Sequence, residues 1–115
     1  MRQTWFILVA LAGCSSDSTA PTNSVPERCR DTVEVLCTRN ATCAAVAGEI
    51  TQAQEGAFID NCKAGAFTTL DCSRQTKILG NPDACDADMM ATPCSLYVLQ
   101  QGLPLPASCK ALYAP

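Results

Sequence analysis

The distribution of apolar residues divides the 115-residue chain into three parts. An unbroken apolar run covers residues 5–12, and residues 15–24 contain almost no apolar side chain. From about residue 26 onward, apolar residues recur at intervals close to the 3.6-residue period of an α-helix. The pattern predicts a leader over 1–13, a flexible tether over 14–25 and one folded domain over 26–115.

Capping signals place the first two helices of this domain. Ser24 and Glu27 match a capping box, and Gly48 ends the periodic run that follows, which predicts a helix over 26–47. A second capping box begins at Thr51 and predicts a helix over 52–66. Because the link between the two is short, we expect the two helices to run antiparallel.

Three shorter helices are predicted after residue 70, over 72–79, 82–91 and 93–101. Each follows a capping residue or precedes a breaker, and the tail from residue 103 is expected to be extended. No segment alternates apolar and polar residues for long enough to predict a strand. The expected fold is all-α, a small disulfide-linked bundle of four to five short helices.

Cysteine is the most unusual part of the composition, with nine residues in a short chain. An odd number leaves one thiol over in an oxidising compartment, and only Cys14 lies outside the predicted folded domain of 26–115. The other eight predict four disulfides; they are Cys29, Cys37, Cys43, Cys62, Cys72, Cys85, Cys94 and Cys109. Their spacing does not determine how they pair. An antiparallel arrangement of the first two helices, with the turn at residues 48–51, would bring Cys62 level with Cys37 and favours a bond between them.

The leader ends in Leu11, Ala12, Gly13 and Cys14, which resembles the lipobox of bacterial lipoproteins. The apolar run before it is too short to span a bilayer but suits an export signal. The resemblance implies cleavage before Cys14, lipid attachment to its thiol and anchoring in a membrane. Ser15 stands where Asp favours the inner membrane, so the resemblance implies the outer membrane. An ordinary signal peptide cut elsewhere is the alternative.

The cysteine spacing of the domain resembles that of small cysteine-rich lipoproteins of myxobacterial-type deltaproteobacteria. The matching features are three cysteines on the first helix, one on the second, and the ending Cys94-Ser95-Leu96 with Gly102-Leu103-Pro104 and Cys109. The resemblance implies a place in the bacterial cell envelope and implies no particular activity.

The charged residues exclude several kinds of chemistry. The chain has no His and a net charge of −3, and its Lys and Arg residues are scattered, so nucleic-acid binding is not expected. No Cys-x-x-Cys pair is present, and no metal site or cofactor is predicted. The cluster Asp83, Asp86 and Asp88 lacks the Gly and Glu of an EF-hand loop, so we interpret it as acidic residues near a helix N-terminus.

These observations predict a non-catalytic protein, with no catalytic residue, that acts structurally or by binding another envelope protein. The membrane is its expected partner through the lipid on Cys14. A carrier of a lipid or another small apolar ligand is the alternative function, since linked helices can enclose an apolar cavity.

Overall fold

A computed structural model describes residues 24–115, which form a small, mainly helical domain. Its three α-helices are α1 (Val25–Val46), α2 (Glu55–Thr69) and α3 (Pro82–Ala91). Short 3₁₀ turns cover Gln52–Gln54, Cys72–Arg74, Cys94–Leu96 and Ala107–Cys109. Two short strands, β1 (Lys77–Ile78) and β2 (Tyr113–Ala114), pair antiparallel.

Helix α1 is the longest element, and its first turn has the predicted capping box. The Glu27 N–H donates to the Ser24 hydroxyl, and the Ser24 N–H donates to the Glu27 carboxylate. These hydrogen bonds, first the one from the Ser24 backbone, lower the pKa of Glu27. Gly48, with φ of 78°, follows the helix as a left-handed residue. The predicted boundaries 26–47 are confirmed to within one residue.

Helix α2 packs against α1 through one side only. No residue of α2 is fully buried, whereas α1 has seven buried residues. Ile59, Cys62, Ala66 and Phe67 are half-buried against a core cluster of α1 residues and Cys72. A 3₁₀ turn precedes α2, and the helix continues three residues beyond the predicted end at 66.

Four disulfides join all eight cysteines of residues 24–115, as the cysteine count predicts. The bonds are Cys29–Cys72, Cys37–Cys62, Cys43–Cys94 and Cys85–Cys109. The Cys37–Cys62 bond is the one that antiparallel packing of the first two helices predicts. Four of the six largest fully buried side chains are cysteines, so the core consists largely of sulfur and small side chains.

The predicted helix over 72–79 is wrong. Only Cys72–Arg74 forms a 3₁₀ turn, and β1 follows it. Strand β1 pairs with the chain's end, with Lys77 opposite Ala114 and Ile78 opposite Tyr113. Pairing with a segment more than thirty residues away along the chain supplies backbone hydrogen bonds that local signals do not reveal.

The predicted helix over 93–101 is also wrong, whereas α3 matches its predicted range of 82–91. After the 3₁₀ turn Cys94–Leu96, the chain makes a tight hairpin in which Val98 pairs with Gly102. The domain therefore has three α-helices and a two-stranded sheet instead of four to five helices. The coarser prediction, a disulfide-linked helical domain, is confirmed.

Candidate functional site

The predicted lipid-attachment residues Leu11, Ala12, Gly13 and Cys14 lie outside the described residues. The other predicted site residues, the eight cysteines, are all bonded to one another. Four disulfides indicate an oxidising compartment outside the cytoplasm. No helix within residues 24–115 has both the length and the apolar character needed to cross a bilayer.

Three of the four disulfides join α1 to a different segment of the chain. Cys29 lies near the start of α1 and Cys43 near its end, about 21 Å further along at 1.5 Å per residue. We call the region around Ser24 and Cys29 the near end, because the predicted tether joins the domain there. The region around the Cys43–Cys94 bond is the far end.

The far end carries a hairpin over residues 97–103 that is built around one strained residue. The Val98 N–H donates to the Gly102 carbonyl, and the Gly102 N–H donates back to the Val98 carbonyl. At the tip, Gln100 has φ of 66°, a left-handed conformation that is uncommon for residues other than glycine. A backbone of this kind persists only where surrounding contacts hold it.

The Glu49 carboxylate holds this hairpin in place. The Tyr97 hydroxyl donates to Glu49 Oε1 at 2.7 Å, and the Gln100 N–H donates to Oε2 at 2.8 Å. Burial, followed by the hydrogen bond to Glu49, raises the pKa of Tyr97 to about 12. Tyr97 therefore keeps its proton, and remains a donor to Glu49, throughout the physiological pH range.

Asn40 on α1 makes the second attachment of the hairpin. Its Oδ1 accepts the Leu103 N–H at 2.8 Å, and its Nδ2 donates to the Leu36 carbonyl within the helix. Gly102 has φ of 89°, and a Cβ at this position would lie 2.7 Å from Asn40 Oδ1. Only glycine therefore allows the hairpin to approach α1 this closely.

Between the hairpin, α1 and α2 lies a cleft of about 210 Å³, which we call the far-end cleft. Its lining combines one carboxylate, two aromatic rings, three amides and a disulfide sulfur. These groups belong to Glu49, Phe58, Tyr97, Asn40, Gln100, Gln101 and Cys62. The disulfides of Cys43 and Cys62 fix three of the walls relative to one another.

On the hairpin and next to it, four large apolar side chains face solvent. They are between 44% and 58% exposed, and we call them the far-end apolar surface: Leu96, Val98, Leu99 and Leu105. Leu96 and Leu105 line one shallow groove together with Pro93, Pro104 and Pro106. The prolines and the nearby Cys43–Cys94 bond restrict this surface to few backbone conformations.

The acidic cluster at α3 does not converge on one point. Asp83 lies in the first turn and accepts from Arg28 at 2.8 Å, while Asp88 accepts the Ser108 hydroxyl. Asp86 has a buried Oδ1 without a hydrogen-bond partner among the described residues, and this burial raises its pKa. Across residues 24–115, no group of three or more Cys, Asp or Glu side chains is arranged to hold a metal ion.

No local pattern in the sequence marks the far-end cleft. Glu49 and Tyr97 lie 48 residues apart, and the pairing of Cys43 with Cys94 brings their segments together. Comparisons with protein-family models, with curated proteins and with solved structures find no significant match to this chain.

Proposed function

We propose that this protein is an extracytoplasmic lipoprotein of the bacterial cell envelope, anchored in the outer membrane by a lipid on Cys14. Its disulfide-linked domain acts by binding another envelope protein and does not catalyse a reaction. The absence of His from the chain supports the non-catalytic part, because His is the commonest general acid and base.

The observation that carries this proposal is the state of the cysteines. The chain has nine, and eight of them are bonded to one another within residues 24–115. No cysteine of the chain is left to pair with Cys14. An unpaired thiol is unusual in an oxidising compartment. Attachment of a lipid through a thioether would account for this ninth cysteine.

The position of the exposed apolar residues supports a binding role. The far-end apolar surface adjoins the Cys43–Cys94 bond and therefore lies at the opposite end of α1 from Ser24, where the tether is predicted to join. Helix α1 has 22 residues and is therefore about 33 Å long. A domain tethered at its near end would present this surface to the surrounding compartment, where another protein can reach it.

The anchor is tested by growing bacteria that express the chain with a labelled fatty acid such as palmitate. We expect label in the wild-type protein and none in Cys14→Ser. Ser16→Ala is the matched control, since it changes a neighbouring small residue without removing the thiol. Absence of label from the wild type, or its persistence in Cys14→Ser, contradicts the proposed anchor.

The binding role is tested by crosslinking in intact envelopes with a matched pair of variants. Leu99 at the far end is 58% exposed and Leu79 near the other end is 60% exposed, so lysine at either position changes stability little. We expect Leu99→Lys to lose the crosslinked partner and Leu79→Lys to keep it. Equal recovery with both variants, or no partner with the wild type, contradicts the proposed role.

The carrier hypothesis is the second candidate, and the far-end cleft is the observation that favours it. Its volume of about 210 Å³ lies below the roughly 300–1,000 Å³ of sites for drug-sized ligands. The cleft therefore suits a small ligand better than an acyl chain. Native mass spectrometry of the purified protein tests this candidate, which requires a bound small molecule in the spectrum.

A further inference from the structure

The geometry points to a binding site for a small organic ammonium group in the far-end cleft, with Glu49 as its counter-ion and the rings of Phe58 and Tyr97 as its walls. This inference rests on contacts within residues 24–115. It does not depend on lipid attachment or on a protein partner.

No ion pair within residues 24–115 neutralises the charge of Glu49. The ion pairs of residues 24–115 are Arg28–Asp83, Lys63–Glu34 and Arg74–Asp71, and none of them includes Glu49. A carboxylate has about four acceptor positions. The Tyr97 hydroxyl and the Gln100 N–H occupy two of them, so Glu49 can still accept from a cationic ligand.

The lining of the cleft favours one kind of cation over another. Hard metal ions such as Ca²⁺ require six or more oxygen ligands, and the cleft offers a single carboxylate. Two aromatic rings line the same space instead. The faces of aromatic rings attract ammonium groups, and quaternary ammonium ligands are recognised in this way in many proteins. A carboxylate beside two rings therefore favours an organic ammonium over a metal ion.

The size and the rigidity of the cleft suit a small ligand. A cavity of about 150 Å³ accepts benzene, so the cleft's volume of about 210 Å³ suits a ligand as small as a choline or ethanolamine group. The left-handed Gln100 and the close contact of Gly102 with Asn40 hold one wall in place before any ligand arrives. A preformed site loses less entropy on binding.

The test is a ligand titration of the mature protein in non-ionic detergent. NMR chemical shifts of the backbone amides of residues 97–103 report binding. Choline chloride is the probe, and 3,3-dimethylbutanol is its uncharged counterpart of the same shape. We expect saturable shifts of the Gln100 amide with choline, with Kd in the millimolar range, and binding of the alcohol about tenfold weaker. Equal binding of choline and 3,3-dimethylbutanol overturns the inference. So does the absence of a shift both with free choline and with choline headgroups.

Two variants separate the charge from general effects. We expect Glu49→Gln, which keeps the side-chain shape, to weaken choline binding about tenfold, and Glu55→Gln, the same change outside the cleft, to leave it unchanged. If Glu49→Gln disturbs the hairpin, Phe58→Leu replaces it, because that change removes a ring and none of the hydrogen bonds that attach the hairpin to Glu49 and Asn40. Equal loss in Glu55→Gln, or no loss in either cleft variant, overturns the inference.

A last arm distinguishes a free ligand from a lipid headgroup of the same chemistry. The mature protein is placed in phosphatidylcholine bilayers and, separately, in phosphatidylglycerol bilayers. The chemical shift of the Gln100 amide in each is compared with its chemical shift in the presence of free choline. A choline-like shift in phosphatidylcholine alone identifies a headgroup as the source. A shift with free choline but not with phosphatidylcholine identifies a soluble ligand as the source. A shift with neither of them overturns the inference.

Discussion

Glu49 joins two features that the chain places far apart, the end of α1 and the hairpin over 97–103. Its carboxylate accepts from the Tyr97 hydroxyl and from the N–H of Gln100. A left-handed residue other than glycine costs about 1–2 kcal/mol, and a hydrogen bond to a charged group contributes about 1.5–3 kcal/mol. The bond from Gln100 is therefore comparable in size to the strain at that residue.

Tyr97 should show the influence of Glu49 in its titration. In a Tyr113→Phe background, where Tyr97 is the remaining tyrosine, absorbance should report ionisation at a pKa of about 12. Because the folded pKa is raised, Tyr97 contributes stability below pH 10 that is lost as pH rises toward 12. Glu49→Gln should lower this pKa, while burial keeps it above its usual range. A pKa that Glu49→Gln leaves unchanged contradicts the assignment.

Glycine is required at position 102 and not at position 65. Gly102→Ala adds a Cβ at positive φ, 2.7 Å from Asn40 Oδ1, and should destabilise the domain by about 1–3 kcal/mol. Gly65 lies on α2, where an added Cβ meets nothing within 4 Å, so Gly65→Ala should stabilise by about 0.5–1 kcal/mol. Denaturant unfolding measures both, and the same sign for the two variants would contradict this account.

At the scale of elements, local signals predict the helices that begin with a cap. The capping box at Ser24 and the side chain of Asn81, which accepts from two N–H groups of α3, explain why α1 and α3 match their predicted ranges. The segments 72–79 and 93–101 do not form the predicted helices, because contacts with residues distant in sequence determine their structure. Strand β1 needs the chain's end, and the hairpin needs Glu49 and the Cys43–Cys94 bond.

The same reason limits what the sequence reveals about the candidate site. The eight disulfide cysteines are readable from their number, and one pairing follows from helix packing. The far-end cleft is not readable, because its lining comes from α1, α2 and the hairpin, and no local pattern marks Glu49 or Tyr97. Among the lining residues, Gly102 comes closest to giving a signal in the sequence, because a glycine indicates a turn. A glycine alone, however, does not identify the side chain that it approaches.

The C-terminal segment should contribute to stability as part of the core. Leu112 is 3% exposed and lies against Gly80, whereas Leu105 is 44% exposed. Leu112→Ala should lower the free energy of unfolding by about 2–4 kcal/mol, and Leu105→Ala by less than about 1 kcal/mol. Thermal or denaturant unfolding checks the difference, and equal losses would show that the chain's end does not form part of the core.

At the scale of the whole molecule, disulfides replace much of a conventional core. Helix α2 has no fully buried residue, and cysteines are prominent among the buried side chains of the domain. Domains of this size bury a modest fraction of their surface and often depend on covalent links. Each disulfide contributes on the order of 2–4 kcal/mol, so the four bonds account for much of the domain's stability and indicate an oxidising compartment.

We propose that eight cysteines form disulfides while Cys14 carries a lipid. The most direct measurement is the intact mass of the mature protein purified from bacterial membranes, combined with a count of free thiols. We predict a chain that begins at Cys14, carries a diacylglycerol on that residue and has no free thiol. An unmodified Cys14, or free thiols among the other eight cysteines, would contradict the account.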